Sequence, residues 1–163
     1  MKNVLEFLEN TAPVCGDKTA FSDGVESLSF AELAQLSRAG GSALIARGLK
    51  NEPVAVFMKK APKTIAAFFA VLYAGCYYVP LDASMPLYRL QMIFERLSPR
   101  AVVCDEASRE LAERLSPESS VISASELFAV DENAEALAAV RAKCIDTDPA
   151  YIVFTSGSTG VPK

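Results

Sequence analysis

The chain has 163 residues, of which 51% are hydrophobic and 22% are charged, so it is long and apolar enough for one globular domain with its own core. A net charge of -4 argues against a broad basic surface for nucleic acid, and the absence of histidine argues against the usual zinc sites and histidine-activated nucleophiles. The longest strongly apolar stretch, residues 65–73, is too short to cross a bilayer.

The cysteines and the first residues bear on location. Cys76 and Cys104 stand in apolar runs, no CxxC pair occurs, and the chain begins without an apolar signal core. Buried reduced thiols and a missing leader predict a cytoplasmic protein. From the charge, the short apolar stretches and the lack of histidine noted above, we also expect no membrane segment, no nucleic-acid partner and no metal site.

The first third of the chain predicts a helix, a hairpin and a second helix. Residues 2–10 form an amphipathic pattern that we expect to end before Pro13. Two extended runs at residues 19–22 and 26–28 flank Asp23-Gly24, a dipeptide typical of β-hairpins.

Ser29 to Glu32 matches the capping box, in which the serine hydroxyl and the glutamate carboxylate each bind the other residue's backbone amide. The helix that follows should stop at Gly48. Gly40-Gly41 inside it costs helix stability, which indicates that another element packs closely against the backbone there.

The rest of the chain alternates short apolar strands with helical patterns. Ile65, Phe68, Phe69 and Leu72 recur at helical spacing and predict a core face, whereas residues 131–143 are compatible with helix or loop. The predicted strands are residues 54–57, 77–81 (shortened or placed at an edge by Pro80), 101–104, 121–122 and 151–154. This order predicts one α/β domain over residues 1–163, with a mostly parallel sheet and flanking helices.

The last predicted strand runs into a loop that is typical of a phosphate site. Glycines let backbone amides approach an anion, hydroxyls donate to phosphate oxygens, and a lysine adds positive charge. The candidate binding residues are Thr155, Ser156, Gly157, Ser158, Thr159, Gly160 and Lys163. The spacing does not fit a Walker A loop, and a flexible connector or cloning tail is the plain alternative.

Three segments of the chain resemble core motifs of the adenylate-forming superfamily, the AMP-binding synthetases and ligases. They are residues 28–33 (Leu-Ser-Phe-Ala-Glu-Leu), residues 72–82, and the Thr-Ser-Gly-Ser-Thr-Gly-x-Pro-Lys signature of residues 155–163. The run from Tyr78 to Arg89 is most similar to amino-acid adenylation domains of nonribosomal peptide synthetases and to D-alanine–carrier-protein ligases.

The resemblance implies a reaction in which a carboxylate and Mg-ATP give an acyl-adenylate and pyrophosphate. The acyl group then passes to a thiol, the phosphopantetheine of a carrier protein, and the carboxylate is an amino acid or another small acid. The same residues 155–163 would hold the β- and γ-phosphates, and no catalytic residue is implied within this chain. The family's adenine, metal and amino-acid sites lie downstream of these motifs.

We therefore expect an N-terminal subdomain fragment that is inactive alone and binds ATP weakly or not at all. Two alternatives remain open at this stage: a stand-alone phosphate- or nucleotide-binding module, and a structural stub that oligomerises. Apolar surface left uncovered on such a stub predicts self-association.

Among the remaining polar residues, Asp82 is expected to brace the loop before Pro86 rather than to act in catalysis. Arg89 is expected to pair with a nearby acid. Phe68 and Phe69 are expected in the core.

Overall fold

A computed structural model describes residues 3–155. Within that range the chain forms these elements: α1 (Leu5–Cys15), β1 (Thr19–Ser22), β2 (Ser27–Ser29), α2 (Phe30–Ala46), β3 (Pro53–Phe57), α3 (Pro62–Tyr73), β4 (Tyr77–Leu81), α4 (Leu87–Leu97), β5 (Ala101–Cys104), α5 (Arg109–Leu115), β6 (Ser120–Ser123), α6 (Ala124–Phe128) and α7 (Ala134–Arg141). In this part of the chain no helix has both the length and the apolar character needed to cross a membrane.

The centre of the fold is a four-stranded sheet in the order β4-β3-β5-β6, with every neighbouring pair parallel. Side chains alternate between its two faces, as the pleat requires. Val54 and Val56 join the core beneath α2, α3 and α6, whereas Ala55 and Phe57 join the core beneath α4 and α5. The predicted α/β class and parallel sheet are confirmed.

The hairpin and the capping box also form as predicted. β1 and β2 pair antiparallel, and residues 23–26 connect them, so the connection is longer than two residues. Within it the Asp23 carboxylate accepts the amides of Val25 and Glu26 at 2.9 and 2.8 Å. Ser29 Oγ accepts the Glu32 amide at 3.2 Å, and Glu32 Oε2 accepts the Ser29 amide at 2.8 Å.

The glycine pair of α2 lies against α3. A Cβ on Gly40 would stand 2.7 Å from the Ala70 Cβ, and one on Gly41 would stand 2.6 Å from the Tyr73 Cβ, closer than atoms can approach. The close approach inferred from the glycines is confirmed, and it fixes which side of α3 is buried. That side carries small residues: Ala66, Ala67 and Ala70 are fully buried.

The predicted core face of α3 is therefore rotated from the real one. Ile65, Phe68 and Phe69 are only half-buried at the margin of the core, because the large side chains cannot fit where the two backbones approach. Leu72 is buried as predicted, but the sequence pattern missed the alanines that make the deepest contacts of the helix.

Two other expectations need correction. α1 continues through Pro13 to Cys15: the φ of proline is compatible with a helix, and the hydrogen bond and space that its ring costs fall within the last turn, where the helix ends two residues later. α6 was not predicted, although Ser123 and Glu126 form a second complete capping box that marks its start.

Candidate functional site

The segment that leads toward the predicted phosphate loop lies against the outer edge of β4. The Tyr78 amide donates to the Ala150 carbonyl at 3.1 Å, and the Ile152 amide donates to the Tyr78 carbonyl at 3.0 Å. The resulting bridge between Tyr78 and Tyr151 is parallel. Residues 151–155 therefore run in the direction of the sheet strands, toward their carboxyl ends, where α/β folds place their ligands.

Residues 151–154 make this single bridge rather than the predicted strand. The Tyr77 amide donates toward β3, and the Tyr78 amide donates away from it, so alternation turns the nitrogen of Pro80 to the outer edge. Proline has no N–H to donate there. The ladder between β4 and the segment stops where Pro80 would have to continue it.

Aromatic side chains hold the segment where the backbone ladder does not. The Tyr78 ring stacks on the Phe68 ring, with centroids 4.4 Å apart. The Tyr151 ring stacks on the same Tyr78 ring, with centroids 5.7 Å apart. Phe154 packs against the core cluster beneath α4. The row Phe68–Tyr78–Tyr151 was not predicted, because it joins residues far apart in sequence.

Of the predicted phosphate-binding residues, only Thr155 falls within the described range, and it is exposed at the end of this segment. The others lie outside the described residues: Ser156, Gly157, Ser158, Thr159, Gly160 and Lys163. The grouping of the loop as a site therefore remains a prediction from sequence.

The carboxylates at the carboxyl ends of the strands serve the backbone. Asp82 Oδ1 accepts the Ser84 amide at 2.9 Å, as expected of a brace, and hydrogen bonds from Ser84, helped by the charge of Lys60, lower the pKa of Asp82. Asp105 accepts the amides of Lys59 and Ser108, each at 2.9 Å. Partial burial alone would raise the pKa of Asp105, but these hydrogen bonds outweigh it and hold the pKa below its ordinary value.

A groove of about 440 Å³ opens beside these strand ends, between β3, β4 and the first half of α3. Its walls are mainly apolar, with Met58, Phe68 and Met85 among them, and Lys60 and Asp82 are its charged residues. This arrangement offers an apolar surface next to a single basic and a single acidic group.

The remaining acidic and cysteine side chains within residues 3–155 bear on metal binding, thiol burial and pairing. No three His, Cys, Asp or Glu side chains there come together in a way that could hold a metal ion. Cys76 and Cys104 are buried free thiols, as predicted, and burial raises the pKa of Cys104 to about 11. Arg89 was expected to pair with a nearby acid, but its buried Nε has no hydrogen-bond partner within the described residues.

Comparison with known proteins shows which family this fold and these motifs belong to. A family model described as AMP-binding enzyme matches residues 8–163. Among curated relatives, the nonribosomal peptide synthetase GRA1 of Gibberella zeae is 33% identical over 150 residues, covering 91% of this chain and 2% of that protein. The tenellin synthetase of Beauveria bassiana strain ARSEF 2860 is 35% identical over 156 residues, covering 90% of this chain and 4% of that protein.

Solved structures agree on the fold. VinN in complex with 3-methylaspartate superposes with a TM-score of 0.78 at 22% identity, covering 99% of this chain and 46% of that one. The O-succinylbenzoate coenzyme A synthetase of Bacillus subtilis, in complex with AMP, gives 0.78 at 19% identity, covering 100% of this chain and 41% of that one. The chain thus spans a small part of the curated relatives and under half of these structures. From the match over residues 8–163, the chain belongs to the AMP-binding enzyme family.

Proposed function

We propose that this chain is part of an enzyme that activates an amino acid as its adenylate. In the first step a carboxylate oxygen of the amino acid attacks the α-phosphorus of ATP. The new O–P bond replaces the bond to the bridging oxygen, and pyrophosphate leaves with that oxygen. In the second step a thiol sulfur attacks the acyl carbon, AMP leaves, and the thiol proton passes to solvent.

The observation that carries the proposal is the sequence of residues 155–163 at the end of a segment that runs along β4 toward the strand ends. The parallel bridge at Tyr151 gives that direction, and exposed Thr155 is the first hydroxyl of the signature. Hydroxyls, glycine amides and a lysine are the groups that bind a polyphosphate.

In this proposal the loop residues hold the β- and γ-phosphates while the α-phosphate is attacked. Thr155, Ser156, Ser158 and Thr159 supply hydroxyl donors, and Gly157 and Gly160 allow close approach of backbone amides. Lys163 offsets the negative charge that accumulates on the leaving pyrophosphate. Mg²⁺ would accompany ATP as the usual metal of phosphate transfer.

The carboxyl end of the sheet supports a mechanism without a protein nucleophile. Asp82 and Asp105 are held by backbone amides with lowered pKa values, so they stay ionised and are occupied in loop bracing. The amino-acid carboxylate is already a nucleophile, so it needs no general base, and catalysis depends on positioning and charge neutralisation.

Amino acids are favoured as substrates by the relatives, several of which are named as nonribosomal peptide synthetases. The same relatives favour a carrier-protein phosphopantetheine as the thiol acceptor. Both partners belong to the proposal for the whole enzyme rather than to residues 3–155.

The test is ATP–pyrophosphate exchange, measured with a panel of amino acids on the product of the reading frame that encodes this chain, however far that frame extends. We expect exchange that depends on one or a few amino acids. Lys163→Ala should lower the exchange kcat/KM by about a hundredfold, and Thr155→Ala by about five- to tenfold.

Lys50→Ala is the matched control, since Lys50 is an exposed lysine before the amino end of β3. It should leave exchange unchanged. Exchange with no amino acid in the panel, or exchange that the Lys163 and Lys50 variants change equally, would overturn the proposal.

A further inference from the structure

A second cavity lies at the opposite end of the sheet from the proposed phosphate site. It has a volume of about 450 Å³ and is bounded by α1, α2, α7 and the last residue of α3. Since α3 leads back from the end of β3 to the start of β4, its last residue, Tyr73, marks the amino end of the strands. The walls combine apolar Ala12, Ala34 and Leu137 with polar Arg38, Tyr73 and Arg141.

Two donors in these walls are buried without an acceptor. Tyr73 is only 7% exposed, and its hydroxyl hydrogen meets no acceptor within the described residues. The neighbouring Arg38 guanidinium interacts favourably with the hydroxyl oxygen, but a guanidinium cannot accept the hydroxyl's own hydrogen. Arg141 Nη1 is likewise buried without a partner in residues 3–155.

The Tyr73 hydroxyl remains a donor at neutral pH. Burial, with a contribution from the Glu9 carboxylate, raises the pKa of Tyr73 to about 12, and the Arg38 and Arg141 charges only partly offset this. Buried polar groups are almost always paired, so two unpaired donors on residues that line one cavity point to an acceptor that enters there.

The charged groups around the cavity already form ion pairs with one another, and this narrows the chemical class of ligand that could bind. Arg38 Nε lies 2.8 Å from Glu132 Oε2, and Arg141 Nη2 lies 3.3 Å from a Glu6 oxygen and 3.4 Å from a Glu9 oxygen. Two guanidinium groups thus face three carboxylates. An anionic ligand would meet a slightly negative surround and is disfavoured.

We propose that this cavity binds a neutral ligand that bears a carbonyl oxygen, such as an amide, with the Tyr73 hydroxyl and Arg141 Nη1 as donors. The apolar walls hold the hydrocarbon part of the ligand. Because both donor atoms are buried, the ligand reaches them only when a side chain of the cavity wall turns aside. This inference does not rest on the proposed adenylation.

Propionamide is a suitable probe, titrated into the 163-residue chain at pH 7 while the Tyr73 ring resonances are followed by NMR. A ligand this small is expected to saturate with a Kd on the order of 1–10 mM. Propionate tests the charge argument, and propylammonium tests the need for an acceptor oxygen, since an ammonium group has none to offer the two donors. At equal concentrations each should bind about tenfold more weakly than propionamide or not at all.

Tyr73→Phe separates a binding role from a structural one. It keeps the ring but removes a hydroxyl that has no acceptor, so the variant should have a Tm equal to or above that of the parent chain while propionamide affinity falls about tenfold. Tyr88→Phe, at a tyrosine that is 64% exposed, is the control and should change neither.

Three results would overturn the proposal. The first is absence of saturable propionamide shifts at Tyr73, and the second is tighter binding of propionate than of propionamide. The third is a clear fall in Tm for Tyr73→Phe, which would show that the hydroxyl already has an acceptor within the protein.

Discussion

The contact between α2 and α3 and the edge of β4 hold their neighbours in opposite ways. At Gly40 and Gly41 two backbones approach so closely that a single methyl group would collide with α3. At the β4 edge the segment containing Tyr151 is held by one backbone bridge and by stacked rings, and Tyr151 itself is 58% exposed. The first contact leaves no free space between the backbones, whereas the second is made mainly by side chains, and the proposed phosphate loop follows the second.

One of the two largest effects is expected where the backbones approach. Gly40→Ala should destabilise the chain by about 2 kcal/mol, since overpacking outweighs the gain of about 1 kcal/mol in helix propensity. Urea denaturation measures it. Adding Ala70→Gly returns the space, so the double variant should lose less than the sum of the two single variants. Simple additivity would show that Gly40 does not depend on the contact with Ala70.

At the β4 edge, Tyr78→Ala should cost about 2 kcal/mol, less than a fully buried aromatic, because the side chain is only half-buried. It removes the stacking on Phe68 and Tyr151 together. Tyr78→Phe keeps both contacts and serves as the control, with stability close to the parent. Equal losses in the two variants would assign the effect to the hydroxyl instead of the ring.

The capping box at the start of α2 allows a test of a purely local contact. Ser29→Ala should cost about 1 kcal/mol in the free energy of unfolding. The Ser29 amide and hydroxyl lower the pKa of Glu32 below its ordinary 4.5. The stabilising contribution of Glu32 is therefore complete above pH 4.5 and is lost as pH falls through the lowered value.

Glu32→Gln provides the pH control for that prediction. Its stability should fall less steeply than the parent's as the solution is acidified below pH 4.5. Parallel curves for the two proteins would exclude a role for the Glu32 carboxylate in the cap.

The smallest effect is expected from Pro80→Val, which supplies an N–H on the outer edge of β4. One added hydrogen bond to the segment at Ile152 should stabilise the fold by less than about 1 kcal/mol. The sharper readout is hydrogen exchange: the new amide at position 80 should be protected, and the amides of Val79 and Leu81, on the β3 side, should not change. Rapid exchange at position 80 would mean that the ladder ends for another reason.

Sequence reasoning succeeded where the signal is local. Ser29 and Glu32 lie one helical turn apart and specify a helix start by themselves, and the same pattern at Ser123 and Glu126 could have revealed α6. Gly40-Gly41 correctly indicated a close approach, because a glycine pair in a helix is costly without one.

Sequence reasoning failed where a distant partner decides the outcome. Hydrophobicity favoured Phe68 and Phe69 for the core of α3, but the glycines on α2 select alanines there. Likewise, a short apolar run at residues 151–154 is typical of a strand, and the nitrogen of Pro80 prevents it from pairing as one. For the site, the loop motif was evident from its residues, but the path of the chain toward it depends on Tyr78, more than seventy residues earlier.

Pro80 also affects how this sheet meets other chains. The open edge of a parallel sheet is normally a template for adding further strands, the first step of many aggregates. Here the outward-facing amide of Tyr78 is already bonded to the Ala150 carbonyl, and Pro80, at the next outward-facing position, has no N–H to donate. One proline ring thus leaves this stretch of β4 without a free outward-facing amide for a strand of another molecule.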